Sequence, residues 1–222
     1  MNFDRASARD FVLRNTEALH MTLVPEITLR LASEVVPLWQ MTEAELEATG
    51  LPPPYWAFAW AGGQALARHV LDHPDLVRGQ RVLDFGAGSG LVGVAAALAG
   101  AASVIAADID PLAVAAIALN AEANDVAIEV VSDDVIGRSG LADVLLIGDM
   151  CYERPLAKRI EDWMFAEARK GVPVLLGDPG RTYLPKQDLV RIAQYAVKTT
   201  RELEDTEIRN TSVWRVDVRR DD

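Results

Sequence analysis

The stretch GDMCYERP, residues 148–155, follows an apolar run, LADVLLI, and brings Asp149, Tyr152 and Glu153 within five residues of one another. The run reads as a buried strand, which puts Asp149 at its tip. A carboxylate in that position costs solvation unless it faces water, a partner or a ligand. An acid, a phenol and a second acid at one sheet edge are candidates for meeting a charged group. The plainer alternatives are an Asp149 cap on the following helix and a Tyr152 packed at the rim. Cys151 lies in the same stretch, but no histidine is near it in sequence, so a nucleophilic role for its thiol is not expected.

A second chemical stretch, VLDFGAGSG at 82–90, lies between an apolar strand and a helix. Ligands of open α/β sheets bind outside the carboxyl ends of strands, and glycines let the backbone approach them. A dinucleotide fingerprint requires glycine at its first, third and sixth positions. Here those positions hold Gly86, Gly88 and Leu91, and no P-loop Lys-Ser/Thr follows. The form is D-x-G-x-G-x-G, beginning at Asp84, and it resembles the loop of S-adenosylmethionine (AdoMet) methyltransferases. Two neighbours agree. Asp108 ends the next strand, where a carboxylate can accept both ribose hydroxyl protons. Asp133 and Asp134 end the third, near the expected adenine amino group. Turn and cap chemistry is the plain alternative for these acids.

These residues need a scaffold of alternating elements. QRVLDF, ASVIAADI, IEVVSD, ADVLLIGD and VPVLLGD read as strands. Helices are expected at LVGVAAALAG, at PLAVAAIALNAEAN and over 154–169. Such alternation implies right-handed crossovers and a mostly parallel sheet. A further helix near 186–195 and a terminal antiparallel hairpin, from AVKTTRELE and TEIRNTSVWRVDVR, bring the count to about seven strands. Upstream, residues 4–20 suggest an amphipathic helix, LVPEITLRLA a short strand or extended arm, and TEAELEATG a short helix capped by Thr42. Prolines 52–54 break regular structure. The expected fold is therefore α/β: a Rossmann-like, seven-stranded, mostly parallel sheet with helices on both faces, a C-terminal antiparallel hairpin and a small N-terminal extension. Residues 1–60 are expected to form an arm packed on a catalytic domain at 61–222.

Composition narrows the partners. With 22 basic and 33 acidic residues the formal charge is −11, which disfavours nucleic acid and suits a partner presenting positive charge. No apolar run is long enough for a membrane span. One cysteine permits no internal disulfide, and the cytoplasm is the expected compartment. His69 and His73 have helical i, i+4 spacing, but a helix end is a better reading than a metal site, and no metal is expected.

GDMCYE matches the D-x-x-Y-[DE] pattern of protein-lysine methyltransferases. PYWAFAWAGGQALARHVLD, ADIDPLAVAAIALN, LLGDPGR, TSVWRV and VPEITLRL further resemble the electron-transfer-flavoprotein β-subunit lysine methyltransferases, in blocks spread over residues 24–216. The resemblance implies transfer of methyl groups from AdoMet, yielding S-adenosylhomocysteine, to lysines of a protein substrate, the flavoprotein β subunit being suspected. It implies a cofactor site at Trp60, Gly63, Asp84, Gly86, Ala87, Gly88, Asp108, Ile109, Asp133, Asp134 and Gly148. Asp149, Tyr152 and Glu153 become the catalytic candidates. Asp149 would attract and hold the amine, Tyr152 orient it or wall its channel, and Glu153 draw in a lysine-rich surface. Cys151 departs from the pattern, where an aromatic residue is expected. Trp60 is better placed as a cofactor wall than Trp56 or Phe58, which suit the core equally well. Arg181 has two readings, contact with substrate acids or with the hairpin. Other functions stay open: methylation of another lysine-rich protein such as a ribosomal protein, a small-molecule methyltransferase, a dinucleotide-dependent oxidoreductase, or a non-catalytic AdoMet-binding module.

Overall fold

Val144, Leu145, Leu146 and Ile147 are all buried, and they alternate between two separate cores. A strand apolar on both sides belongs in the middle of a sheet covered on both faces. The computed structural model describes residues 4–33, 38, 53–199 and 206–218. In chain order it contains α1 (Arg5–Arg14), β1 (Glu17–Met21), β2 (Val24–Leu31), a short 3-10 turn at Tyr55–Ala57 and α2 (Ala61–Asp72). Next come β3 (Arg81–Phe85), α3 (Leu91–Leu98), β4 (Ser103–Ala107), α4 (Pro111–Ala123) and β5 (Glu129–Val131). The remainder is β6 (Val144–Gly148), α5 (Arg154–Arg169), β7 (Val174–Asp178), β8 (Leu189–Lys198) and β9 (Ile208–Val216).

Seven strands form one sheet in the order β5-β4-β3-β6-β7-β9-β8. Strands β5, β4, β3, β6 and β7 are parallel, and β9 is antiparallel to both its neighbours. The chain runs from β3 outward to β5, then returns to β6 on the other side of β3. The topological switch therefore lies between β3 and β6, where a crevice opens at the carboxyl ends. The glycine loop leaves β3 and GDMCYERP leaves β6, so the fold brings the two chemical stretches to one place.

One core packs α2 and α3 on the sheet through Leu66, Val70, Val92 and Ala96. The other packs α5 through Ile160, Trp163 and Met164. The N-terminal arm is fastened at the outer side of α3 and α4. Ile27, Leu29 and Leu31 of β2 pack on Leu91, Val94 and Ala95, and Val12 of α1 lies in a cluster with Leu112 and Ala116. Asn120 of α4 and Asn124 at the C-terminal cap of that helix serve the backbone of β2. Asn120 Oδ1 accepts from Arg30 N–H at 2.7 Å, and Asn124 Oδ1 accepts from Thr28 N–H at 2.9 Å. Among the described residues no helix is long and apolar enough to cross a membrane.

Two expectations fail. The first helix ends at Arg14 and Leu19 belongs to β1, which pairs antiparallel with β2. The helix expected near 186–195 is instead strand β8. Leu189, Ile192, Ala193 and Val197 imitate helical spacing because a bulge at Ile192 breaks the two-residue alternation. Leu189 consequently faces the α5 core, while Ala193, Tyr195 and Val197 face the α2 core. The short helix expected at TEAELEATG lies outside the described residues.

Candidate active site

Beyond β3 the backbone turns through Gly86, Gly88 and Gly90, at φ 63°, 53° and 79°. That left-handed region favours glycine. A β-carbon on Gly86 would also lie 2.3 Å from Met150 Sδ, so a side chain there would collide with the segment following β6. Gly88 N–H donates to Asp108 Oδ2 at 2.8 Å, and Asp110 N–H donates to Oδ1 at 3.0 Å. Burial raises the Asp108 carboxyl above its ordinary pKa, and the backbone donors oppose that rise. Beside it Ile109 is 72% exposed, a large apolar side chain left uncovered next to a carboxylate. Asp84 is placed differently. It is buried, its Oδ2 accepts from Gly93 N–H at 2.8 Å, and burial pushes its pKa up to about 7. It ties α3 to β3 beneath the loop.

Asp149 at the tip of β6 also has a left-handed backbone, φ 59°. Its N–H donates to the Gly177 carbonyl at 2.8 Å. Its side chain is only 4% exposed, and both oxygens are engaged. Oδ2 accepts from Gly62 N–H at 2.8 Å, near the start of α2, and Oδ1 accepts from Arg181 Nε–H at 2.6 Å. Asp149 thus caps a helix, but it is α2. Glu153 holds the N-cap position of α5, without a side-chain cap bond. The close approach of α2 depends on small residues. A β-carbon on Gly62 would lie 2.3 Å from the Gly177 oxygen, and one on Gly148 would lie 3.1 Å from Gly63 Cα.

Aromatic rings edge this tip. The Arg181 guanidinium lies 5.8 Å from the centre of the Trp60 ring, within cation–π range. Trp60 Nε1 donates to the Tyr55 carbonyl at 2.8 Å, and the Tyr55 ring stands 5.4 Å from that of Tyr152. Tyr152 is 39% exposed at the rim; burial of the phenol, then Tyr55 and nearby acids, pushes its pKa up to about 12. Cys151 is buried, and burial followed by Asp178 and Asp149 pushes its thiol up to about 12, so it stays protonated at neutral pH.

The structure therefore gathers Trp60, Gly63, Gly86, Ala87, Gly88, Asp108, Ile109, Gly148, Asp149 and Tyr152 around the carboxyl ends of β3, β4 and β6. Asp133 and Asp134 are exposed after β5 and engaged by Arg138 at 3.2 Å and Arg159 at 2.5 Å. His69 and His73 stack at 4.3 Å, away from this cluster, with His69 Nδ1 3.1 Å from the Tyr195 hydroxyl. Sequence reasoning passed over Asp178 at the tip of β7. Its Oδ1 accepts from the N–H groups of Gly180 and Arg181 at 2.6 and 2.7 Å, and burial raises its pKa to about 6. Its Oδ2 is buried and without a hydrogen-bond partner among the described residues. The signal was present, since GDPGR ends a strand in an acid as the cofactor motifs do.

A strand order with its switch at the glycine loop, an acid at the end of β4 and an antiparallel final pair define the class: an AdoMet-dependent methyltransferase of the seven-strand kind. Solved structures agree on the fold. The ribosomal protein L11 methylase of Lactobacillus delbrueckii subsp. bulgaricus is 17% identical, covering 72% of this chain and 81% of that one, with TM-score 0.52. Trm5b of Pyrococcus abyssi is 14% identical, covering 91% of this chain and 56% of that one, with TM-score 0.52. The family model for ribosomal protein L11 methyltransferase (PrmA) matches residues 65–147, ending just before Asp149. Full-length likeness lies elsewhere. The electron transfer flavoprotein beta subunit lysine methyltransferase of Xenopus laevis is 40% identical over 213 residues, 93% of this chain and 85% of that protein. Its human counterpart is 36% identical, over 92% of this chain and 80% of that protein. The chain belongs to the electron transfer flavoprotein beta subunit lysine methyltransferase family.

Proposed function

We propose that this chain methylates lysine side chains of the electron transfer flavoprotein β subunit. The observation that carries the reading is the meeting of the glycine loop with the acid-tipped strand β6 at the sheet's switch point, in a chain matching the family over nearly its whole length. AdoMet supplies a methyl group on a cationic sulfur, moved by in-line displacement in which the N–C bond forms as the C–S bond breaks and the electron pair stays on sulfur.

The residues suit that ligand. The loop offers bare backbone at Gly86, Ala87 and Gly88. Asp108 offers carboxylate oxygens for ribose hydroxyls, and the uncovered Ile109 offers an apolar face for the base. Asp133 and Asp134 border the adenine end, and Asp84 supports the loop from below. Gly63 and Gly148 leave room beside the methionine end, with Trp60 as a wall. Alignment is the enzyme's main contribution to such a displacement. Asp149, fixed by α2 and Arg181, sets the inner end of the lysine slot. Tyr152 and Tyr55 wall its mouth, and exposed Glu153 attracts a lysine-rich surface. Residues 1–60 serve as an arm on the catalytic domain 61–222, and the enzyme works in the cytoplasm.

The test is a cell extract incubated with the chain and radiolabelled AdoMet, then separated and peptide-mapped. Label in the flavoprotein β subunit is expected; label confined to small molecules, or to other proteins, overturns the assignment.

A further inference from the structure

The proposed reaction needs a neutral amine, yet a lysine side chain has an ordinary pKa of about 10.4 and carries a proton at neutral pH. An open carboxylate at the tip of β6 would hold that proton in place. The structure has a different arrangement. Both oxygens of Asp149 are taken, by Gly62 N–H at 2.8 Å and by Arg181 Nε–H at 2.6 Å, and the side chain is 4% exposed. The same guanidinium lies 5.8 Å from the Trp60 ring centre, so Arg181 bridges the carboxylate and the aromatic mouth. Its place is set from the backbone, because its own N–H donates to Asp178 Oδ1 at 2.7 Å. A guanidinium keeps its charge at every pH an enzyme meets. The tip thus presents a closed ion pair where a lone anion was expected.

We propose, building on the lysine-methyltransferase reading, that Arg181 discharges the acceptor: its fixed charge neutralises Asp149 and so removes the anion that would hold an ammonium, and the lysine enters the slot as a free amine. The step is a proton loss, R–NH3+ to R–NH2, with the proton passing to solvent water at the exposed rim by Tyr152. The lone pair so freed is the one that forms the new N–C bond.

Other ionisable groups face the same space. Asp149 and Asp178 come from the tips of β6 and β7, and Asp108 from the end of β4. Cys151, Tyr152 and Glu153 come from the segment after β6, Tyr55 from the turn before α2, and Glu161 from α5. Cys151 and Tyr152 remain neutral across the range of interest, since both are pushed up to about 12. The acids all favour a retained proton, and among the groups named only Arg181 opposes them. Removing its charge therefore has a defined sign: the acceptor becomes more basic.

The test compares wild type with Arg181→Gln and Arg181→Lys by two readouts. In the first, purified β subunit is titrated calorimetrically into protein saturated with S-adenosylhomocysteine, at pH 8, in two buffers of different ionisation enthalpy. Wild type and Arg181→Lys are expected to release about one proton per lysine bound, and Arg181→Gln clearly less. In the second, single-turnover methyl transfer is followed against pH. Arg181→Gln is expected to move the alkaline-rising limb upward by about one pH unit or more, regaining rate at high pH. Equal proton release by wild type and Arg181→Gln overturns the proposal. So does a rate loss of the same size at every pH, which marks Arg181 as a clamp for Asp149 alone. If Arg181→Gln melts early, Arg181→Lys decides: a folded lysine variant with a shifted profile also overturns it. Failure of the substrate assignment looks different, because wild type then neither binds nor methylates the β subunit.

Discussion

Asp149 has a dual place in the molecule, at the inner end of the proposed lysine slot and at the first turn of α2. Arg181 is its partner across 32 residues of sequence. Asp149→Asn keeps the shape and an oxygen for Gly62 but strands a guanidinium. Breaking one side of a buried pair costs about 3–5 kcal/mol, which urea denaturation will show. Methyl transfer is expected to fall by about a hundredfold or more, because the slot loses its fixed end. AdoMet affinity, measured by calorimetry, should change only a few-fold. A second prediction concerns His69. Burial, then His73, lowers its pKa from 6.5 to about 4. Between those values the unfolded chain takes up a proton and the folded one does not. Its contribution to stability is therefore complete above pH 6.5 and lost as pH falls toward 4, by up to about 3 kcal/mol. Asp84 and Asp178, raised to about 7 and about 6, act in the opposite direction, so a difference is the proper measure. On going from pH 7 to pH 5 the urea midpoint should fall more, or rise less, in wild type than in His69→Gln. At this scale Asp108 and Asp149 were legible because motifs fix them at strand ends. The Arg181 pairing and the burial of Asp178 were not, since both arise only when β6 and β7 lie side by side.

Helix α2 reaches the sheet through glycine, and its docking positions both Trp60 and the Asp149 cap. A methyl group at residue 62 would meet the Gly177 oxygen at 2.3 Å and Asp149 Cβ at 2.8 Å. Gly62→Ala should therefore push α2 from the strand tips, with a loss of about 1–3 kcal/mol from overpacking. Because the shift also opens the Asp149–Gly62 bond, methyl transfer should fall more than thermal stability alone would indicate. Thermal melting beside initial rates will show this; an unchanged rate would mean that the docking of α2 does not set the slot. Most elements were legible from their periods: α5 spans Arg154–Arg169, as the sequence pattern predicts for 154–169. The exceptions share one cause. In β8 a single bulge rephases the apolar residues into helical spacing, and β1 follows α1 so closely that one polar stretch covers both.

As a whole, the molecule carries −11 charges and carries its proposed site at the sheet's switch point. An acidic enzyme acting on a lysine-bearing protein surface should show electrostatic steering. Its kcat/KM for the β subunit is expected to fall several-fold as salt is raised from low to physiological strength, because exposed charges are screened within about 8 Å there. AdoMet binding should respond less. The mostly parallel seven-stranded sheet and its antiparallel edge pair were legible because alternating strands and helices imply right-handed crossovers, whereas the strand order is set by how the strands pack together. The electrostatic state of the site was not, because it depends on which charges fold together. The most direct measurement is peptide-mapped mass spectrometry of purified electron transfer flavoprotein β subunit after incubation with this chain and AdoMet. Mass gains in steps of one methyl group, confined to lysine side chains and strongly reduced with Asp149→Asn at equal time, are expected. An unmodified β subunit, or methyl groups on any residue other than lysine, would contradict the assignment.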